Sequence, residues 1–254
     1  LQVLNRNEGI VDRSYYGRDG YQELFNQIFE ELKRRGLFSR TVKEIENTDL
    51  FKLSPFKAPT ADQQVAIVDI LEGLFEDLEI HRASRIVVDG EPGTGKTVVG
   101  IYLMKLLSDV AAYDPHDPPN EDNVFSDFFN EGFPELLQDF KMALVVPQQA
   151  LRASVRKVFA KTQGLRPAMV MTPFELGASQ DHFDLVIVDE AHRLTQRANQ
   201  SSGLMNAKFR DITVRLFGAD DRERDQLDWV MAKSRNQIFL MDSSQRVRPM
   251  DVST

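Results

Sequence analysis

The 254-residue chain contains no cysteine, which removes disulfides, zinc–thiolate sites and a cysteine nucleophile together. Histidine is scarce, and His81, His116 and His182 show no metal-ligand spacing. No apolar run approaches the length of a membrane span, and no charged-then-apolar leader opens the sequence. The expectation is a cytoplasmic protein without a membrane partner. Its first residue is Leu1, as in a processed chain or one cut from something longer. A formal net charge of −8 argues against indiscriminate binding to nucleic acid, although a local basic stripe can work on an acidic protein. Core-forming residues are ample: 42% of the chain is hydrophobic, enough for one large or two small domains.

The most informative stretch runs from Arg85 to Leu107. Ile86-Val87-Val88 is a β-branched run ended by Asp89-Gly90, and apolar residues after Thr97 recur at helical spacing, predicting strand, glycine-rich loop and helix. Gly90-Glu91-Pro92-Gly93-Thr94-Gly95-Lys96-Thr97 fills every position of a P-loop. Glycines at positions 90, 93 and 95 let consecutive N–H groups point into one concavity at the positive end of the helix, where a polyphosphate fits. Lys96 is expected to reach the outer phosphates and the Thr97 hydroxyl to hold Mg²⁺, which makes ATP with Mg²⁺ the expected cofactor pair.

On either side of this motif the chain divides. Residues 1–58 read as a helical segment and linker: Leu24, Phe25, Ile28, Phe29 and Leu32 trace one helix face, Lys33-Arg34-Arg35-Gly36 ends it, and Pro55 and Pro59 mark the linker. From residue 59 to 254 a single α/β domain is expected. Thr60-Ala-Asp-Gln63 opens a helix with a capping-box pattern. Residues 111–139 form an acidic insertion whose Phe125, Phe128, Phe129 and Phe133 are placed to pin it to the body, leaving it as a surface excursion or a lid for a protein partner. Strands are expected at Ala143–Val146, Ala168–Met171, Leu185–Val188 and Gln237–Met241. Alternating with helices and apolar on both faces, they predict a parallel sheet covered on two sides.

Asp184-Leu-Val-Ile-Val-Asp189-Glu190-Ala191-His192 is an apolar strand ending in two adjacent carboxylates. After a P-loop, Asp189 is the candidate Mg²⁺ ligand through water and Glu190 the candidate base for the attacking water. His192 either couples nucleotide state to other motifs or caps the strand. The helix after Val145-Val146-Pro147-Gln148-Gln149 carries Arg152, Arg156, Lys157 and Lys161, which make either a strand-binding stripe or a solvated face. Phe174 offers either a base-stacking surface or core.

Together these motifs resemble the first RecA-like domain of a superfamily 1 helicase. Asp242-Ser-Ser-Gln245 is similar to the third motif, Gly-Asp-x-x-Gln, with Met241 where glycine is usual, and the resemblance makes Gln245 a γ-phosphate sensor. Thr60-x-x-Gln63-x-x-Ala66 is similar to the adenine-reading glutamine motif, with Gln64 as an alternative contact and helix capping as the structural reading of Gln63. Pro147 and Arg152, and Thr172 with Phe174, fall where motifs Ia and Ib contact single-stranded DNA or RNA, which places Arg156 beside them. With Asp-Glu-Ala-His-Arg-Leu194 and Asp-Ser-Ser-Gln-Arg-Val-Arg-Pro249, residues 60–251 most resemble the schlafen-type DNA/RNA helicase domain. The resemblance implies an ATP-driven motor module completed by a second RecA-like domain with an arginine finger, so that these residues hold one half of an ATP site. The expectation from another class is an ATP-dependent switch or scaffold acting on a protein partner.

Overall fold

The computed structural model describes residues 18–37, 44–45, 48–56, 58–114, 124–130, 132–197 and 203–245. Two compact units divide at Thr48 and Asp49, earlier than the expected boundary at 58. In the first unit, α1 (Arg18–Arg34) ends as expected in Lys33 and Arg34, with Gly36 in the left-handed conformation that lets Leu37 N–H return to the Leu32 carbonyl. Of its expected apolar face, Phe29 is buried but Phe25 and Ile28 are exposed.

The second unit begins with the short helix α2 (Asp49–Lys52); Leu50 within it and Leu53 just after it pack on the main core, so Pro55 and Pro59 lie inside this unit. In α3 (Ala61–Glu79) Thr60 accepts from Gln63 N–H while the Gln63 side chain accepts from Thr60 N–H, closing the capping box. Next come β1 (Arg85–Asp89), α4 (Lys96–Ala111), α5 (Phe133–Leu136), β2 (Met142–Val145), α6 (Gln149–Phe159), β3 (Val170–Met171) and α7 (Pro173–Ala178). The chain then forms β4 (Phe183–Val188), α8 (Gly203–Phe217), α9 (Gln226–Lys233) and β5 (Ser234–Met241). The five strands form one parallel sheet in the order β1-β5-β4-β2-β3. This is the RecA-like α/β fold the sequence predicts. Strand limits differ from expectation: β2 is Met142–Val145, β4 starts two residues earlier at Phe183, and Pro167–Met169 forms a 3₁₀ turn that leaves β3 only Val170 and Met171. β5 starts at Ser234, directly after α9.

Side-chain alternation distributes the strands between two cores. Leu144, Leu185, Ile187, Ile238 and Leu240 face α3, α4 and α6, whereas Ala143, Val145, Val186, Val188 and Phe239 face α7 and α9. α4 lies so close to the sheet that a Cβ on Gly100 would stand 2.9 Å from Leu240 Cδ1. A third cluster packs Phe209 and Ile212 of α8 on Trp229.

The described part of the insertion is anchored by the expected aromatics. Phe133 and Phe128 meet Phe75 of α3 at 4.4 and 5.8 Å between ring centroids, and Phe125 meets Tyr102 of α4 at 5.3 Å. Phe128→Ala removes a buried ring from this contact and should cost about 3 kcal/mol of stability, whereas the exposed Val124→Ala should change it by less than about 0.5 kcal/mol. Urea denaturation of the two variants checks the contrast.

Candidate functional site

Parallel pairing brings the motif loops to one edge. Asp89 is paired with Met241, Phe239 with Val188, and Val188 and Met171 each with Val145, so the chain leaves β1, β5, β4, β2 and β3 along the same carboxyl end of the sheet. In open α/β sheets this is where ligands bind.

Between β1 and α4, Gly93 and Gly95 have φ of +82° and +86°, conformations that residues with a Cβ resist. Gly95 is also closed in from outside: a Cβ there would lie 2.4 Å from Gln63 Nε2. Gly90 differs from the sequence expectation, since its φ is not left-handed and its constraint is the Thr94 hydroxyl 3.2 Å from where a Cβ would sit. Glu91 and Pro92 lie exposed at the tip, and Thr94 Oγ1 donates to the Glu91 carbonyl at 2.9 Å. Lys96 Nζ reaches back across the loop and donates to the carbonyls of Gly90 and Glu91. Gln63 Nε2 donates to the Thr94 carbonyl at 2.9 Å, so the residue that caps α3 also braces the loop.

At the end of β4, Thr97 Oγ1 donates to Asp189 Oδ2 at 2.8 Å. Asp189 is fully buried, and its other oxygen, Oδ1, has no hydrogen-bond partner among the described residues. Burial pushes its carboxyl up to about 6, against the lowering effect of the Thr97 hydroxyl. An unsatisfied buried carboxylate oxygen beside a hydroxyl suits a hard divalent cation, and Mg²⁺ is typically held by one or two such protein oxygens together with substrate phosphates. Thr97 and Asp189 therefore fit the ion expected of them.

Glu190 follows in a left-handed conformation with φ of +51°. Its Oε2 accepts from Arg193 Nε at 2.8 Å and lies 3.2 Å from His192 Nε2. His192 is buried, and its Nδ1 accepts from the Asp242 backbone N–H at 3.3 Å. Asp242 is buried and accepts from Ser244 N–H and Oγ, bonds that hold its carboxyl below the usual range. The next residue, Ser243, donates from N–H and Oγ to Asp89, tying the end of β1 to the end of β5. Gln245 is half-buried, and its N–H donates to the Asp242 carbonyl at 3.2 Å. The rest of that motif, Arg246 to Pro249, lies outside the described residues.

With these loops assembled, the sequence model of the schlafen group 3 DNA/RNA helicase domain matches residues 83–254. The chain belongs to this family. It is thereby a helicase-type domain. Comparison with curated proteins and with solved structures returned no match. The matched segment of the schlafen-type domain starts after α3, so Gln63 lies outside it.

The residues expected to touch nucleic acid have structural partners in this schlafen-type domain. Arg152 Nη1 donates to the carbonyls of Val146 and Pro147 at 2.8 and 3.1 Å. Arg156 donates to the Val170 carbonyl and to Glu175, so both arginines fasten α6 to strand ends and leave Lys157 and Lys161 as the exposed members of the stripe. Thr172 caps α7, accepting from Glu175 N–H at 2.9 Å. Phe174 is half-buried: its ring meets Trp229 and Phe209 edge-on, 5.4 and 6.1 Å away, with Lys208 Nζ 5.6 Å from its centroid. Pro173 and Leu176 carry α7 onto the sheet and turn Phe174 toward α8 and α9. Sequence reasoning missed the Asp89–Ser243 and Gln148–Arg193 links. An acidic residue at a strand end just before the P-loop was the one available signal, and it does not name its partner.

The raised carboxyl of Asp189 has a definite sign. Its stability contribution is present in acid and is lost as pH rises from about 4 to about 6, so the buried carboxylate is a net cost at neutral pH. Asp189→Asn should stabilise the ligand-free protein by roughly 2 kcal/mol at pH 7.5, and the gain should shrink toward zero near pH 4. Urea denaturation at both pH values measures this.

Proposed function

We propose that this schlafen-type domain is the ATP-binding motor module of a nucleic-acid-dependent ATPase of the superfamily 1 helicase type. The observation that carries the reading is the Thr97–Asp189 hydrogen bond, which joins the start of the P-loop helix to the end of β4 at 2.8 Å, with Glu190 the next residue. In this reading the backbone N–H groups from Gly93 to Thr97 and the Lys96 ammonium hold the phosphates of ATP. Lys96 exchanges the Gly90 and Glu91 carbonyls, which it satisfies in this structure, for phosphate oxygens. Thr97 and Asp189 hold Mg²⁺, which supplies charge neutralisation of the phosphates when bound. Glu190 orients water and takes its proton as the water oxygen bonds to the terminal phosphorus and the bridging P–O bond to ADP breaks. Gln245 senses the terminal phosphate from the β5 edge. A second RecA-like domain is the proposed partner that supplies a cation to the same phosphate. Gln63, already engaged with Thr60 and Thr94, is placed to relay adenine contact to the P-loop, and that role is part of the proposal.

Single-stranded DNA or RNA is the proposed track, crossing the carboxyl edge at Pro147 and Thr172. Arg152 and Arg156 contribute by holding those strand ends, and Lys157 and Lys161 by facing solvent beside them.

Two experiments test the reading. Lys96→Ala should weaken binding of a fluorescent Mg-ATP analogue by about tenfold or more, since it removes a charge-assisted contact. Glu190→Gln should leave that affinity within about twofold while turnover falls by roughly 10²–10⁴. Unchanged affinity in the Lys96 variant would refute the phosphate assignment. Separately, replacing Lys157 and Lys161 by alanine should make the salt dependence of single-strand affinity shallower by about 1.4 in log–log slope, read by fluorescence anisotropy. An unchanged slope would return both lysines to the status of a solvated face.

A further inference from the structure

The helix α6 starts without a side-chain cap. Gln148 occupies the N-cap position, where Ser, Thr, Asp or Asn would accept from an unsatisfied N–H, yet its side chain makes no capping bond. It turns instead toward the end of β4. With its amide oriented by that network, its oxygen accepts from Arg193 Nε at 3.1 Å and Nη2 at 3.2 Å. Arg193 Nε is the same group that donates to Glu190 Oε2 at 2.8 Å. Three residues therefore form an unbroken polar chain: Gln148 on the loop after β2, Arg193 on the 3₁₀ turn after β4, and the carboxylate placed to act on water.

The link is specific in geometry. Pro147 and Gln148 join the buried strand β2 to α6, and Arg152 holds the carbonyls of Val146 and Pro147 from the side of α6. Arg193 is partly buried, with a side chain 26% exposed, and its planar guanidinium can serve both neighbours only in a narrow range of orientations. On its other side Glu190 Oε2 lies 3.2 Å from His192 Nε2 without a hydrogen bond to it, and the His192 ring is itself anchored to the Asp242 backbone. A shift of the Gln148 amide consequently changes which hydrogen bonds Glu190 Oε2 accepts, and so where its carboxylate points.

We propose that Arg193 is a positioning residue which, together with Gln148, couples a single strand bound at the Pro147–Gln148 loop to the orientation of Glu190. The relay rests on the motor reading above and assigns its strand-to-water communication to two residues that touch neither nucleotide nor metal. A bound strand draws the Gln148 amide outward, the guanidinium that forks to it through Nε and Nη2 follows, Oε2 loses its Arg193 donor, and the carboxylate becomes available to water. Without a strand, the Gln148–Arg193 pair keeps Glu190 occupied.

The test compares ATP turnover by the full-length protein, the proposed second RecA-like domain included, with and without a single-stranded DNA or RNA oligonucleotide in wild type, Gln148→Ala, Arg193→Ala and Arg193→Lys. Affinity for a fluorescent Mg-ATP analogue is measured in each. Stimulation by the strand should fall about tenfold in both alanine variants, through raised strand-independent kcat in Arg193→Ala and through lost strand-stimulated kcat in Gln148→Ala, while analogue affinity stays within about twofold. Arg193→Lys should retain part of the stimulation, because an ammonium can pair with Glu190 but cannot fork to Gln148. Unchanged stimulation in both alanine variants would overturn the relay and leave the motor reading standing. A parallel fall of basal and stimulated turnover would also overturn it, since that is the signature of a purely structural role. Wild-type turnover that neither strand raises would defeat the motor reading itself, and the relay with it.

Discussion

The site depends on β5 lying between β1 and β4 in parallel register. Asp89 pairs with Met241, and Val188 with Phe239, so the P-loop, the Asp189-Glu190 turn and the Asp242–Gln245 loop leave the sheet as neighbours although they are far apart in sequence. Any slip by one residue would exchange the two cores, since Ile238 and Leu240 face α3 and α4 while Phe239 faces the opposite layer. Register is therefore fixed by burial on both faces, and the edge chemistry inherits that precision. The Ser243 bonds to Asp89 repeat the constraint at the edge itself.

The edge carries costs that the packed sheet sustains. Asp189 is buried with one oxygen unsatisfied among the described residues, and Glu190 adopts a left-handed backbone conformation that a residue with a side chain resists by roughly 1 kcal/mol. Both lie at adjacent positions on the strand end, where the motor reading places the metal ligand and the base. Three contacts tie the turn to its neighbours: Thr97 of the P-loop donates to Asp189, Arg193 on the turn itself faces Gln148 after β2, and His192 on the turn accepts from the Asp242 backbone after β5. Local cost and surrounding support together describe a preorganised site, in which the carboxylates are held before any ligand arrives.

Much of this was legible in the residues. Periodicity gave the parallel sheet, because strands apolar on both faces have no other home. The P-loop and the paired carboxylates were legible because their spacing is local and each position has a distinct chemical role. Gln63 was ambiguous between capping and ligand contact, and in the structure its two amide atoms do separate jobs, one for Thr60 and one for Thr94. The basic stripe on α6 was legible only as a shared helix face. Helical spacing shows which side chains share a face, but not that Val170 and Pro147 present carbonyls within reach of Arg156 and Arg152. Phe174 likewise packs on Phe209, which α8, distant in sequence, supplies beside it. Links such as Gln148 to Arg193 join loops through space and have no spacing signature at all.

The central claim is that Thr97 and Asp189 form a metal site completed by nucleotide phosphates. Electron paramagnetic resonance with Mn²⁺ substituted for Mg²⁺ tests it most directly. The account predicts that Mn²⁺ is immobilised on the protein when ATP is present, with phosphorus hyperfine coupling in the bound signal, and that both features disappear in a Thr97→Val, Asp189→Ala double variant. Mn²⁺ that remains free with ATP present, or a bound signal with phosphorus coupling that survives in the double variant, would contradict it.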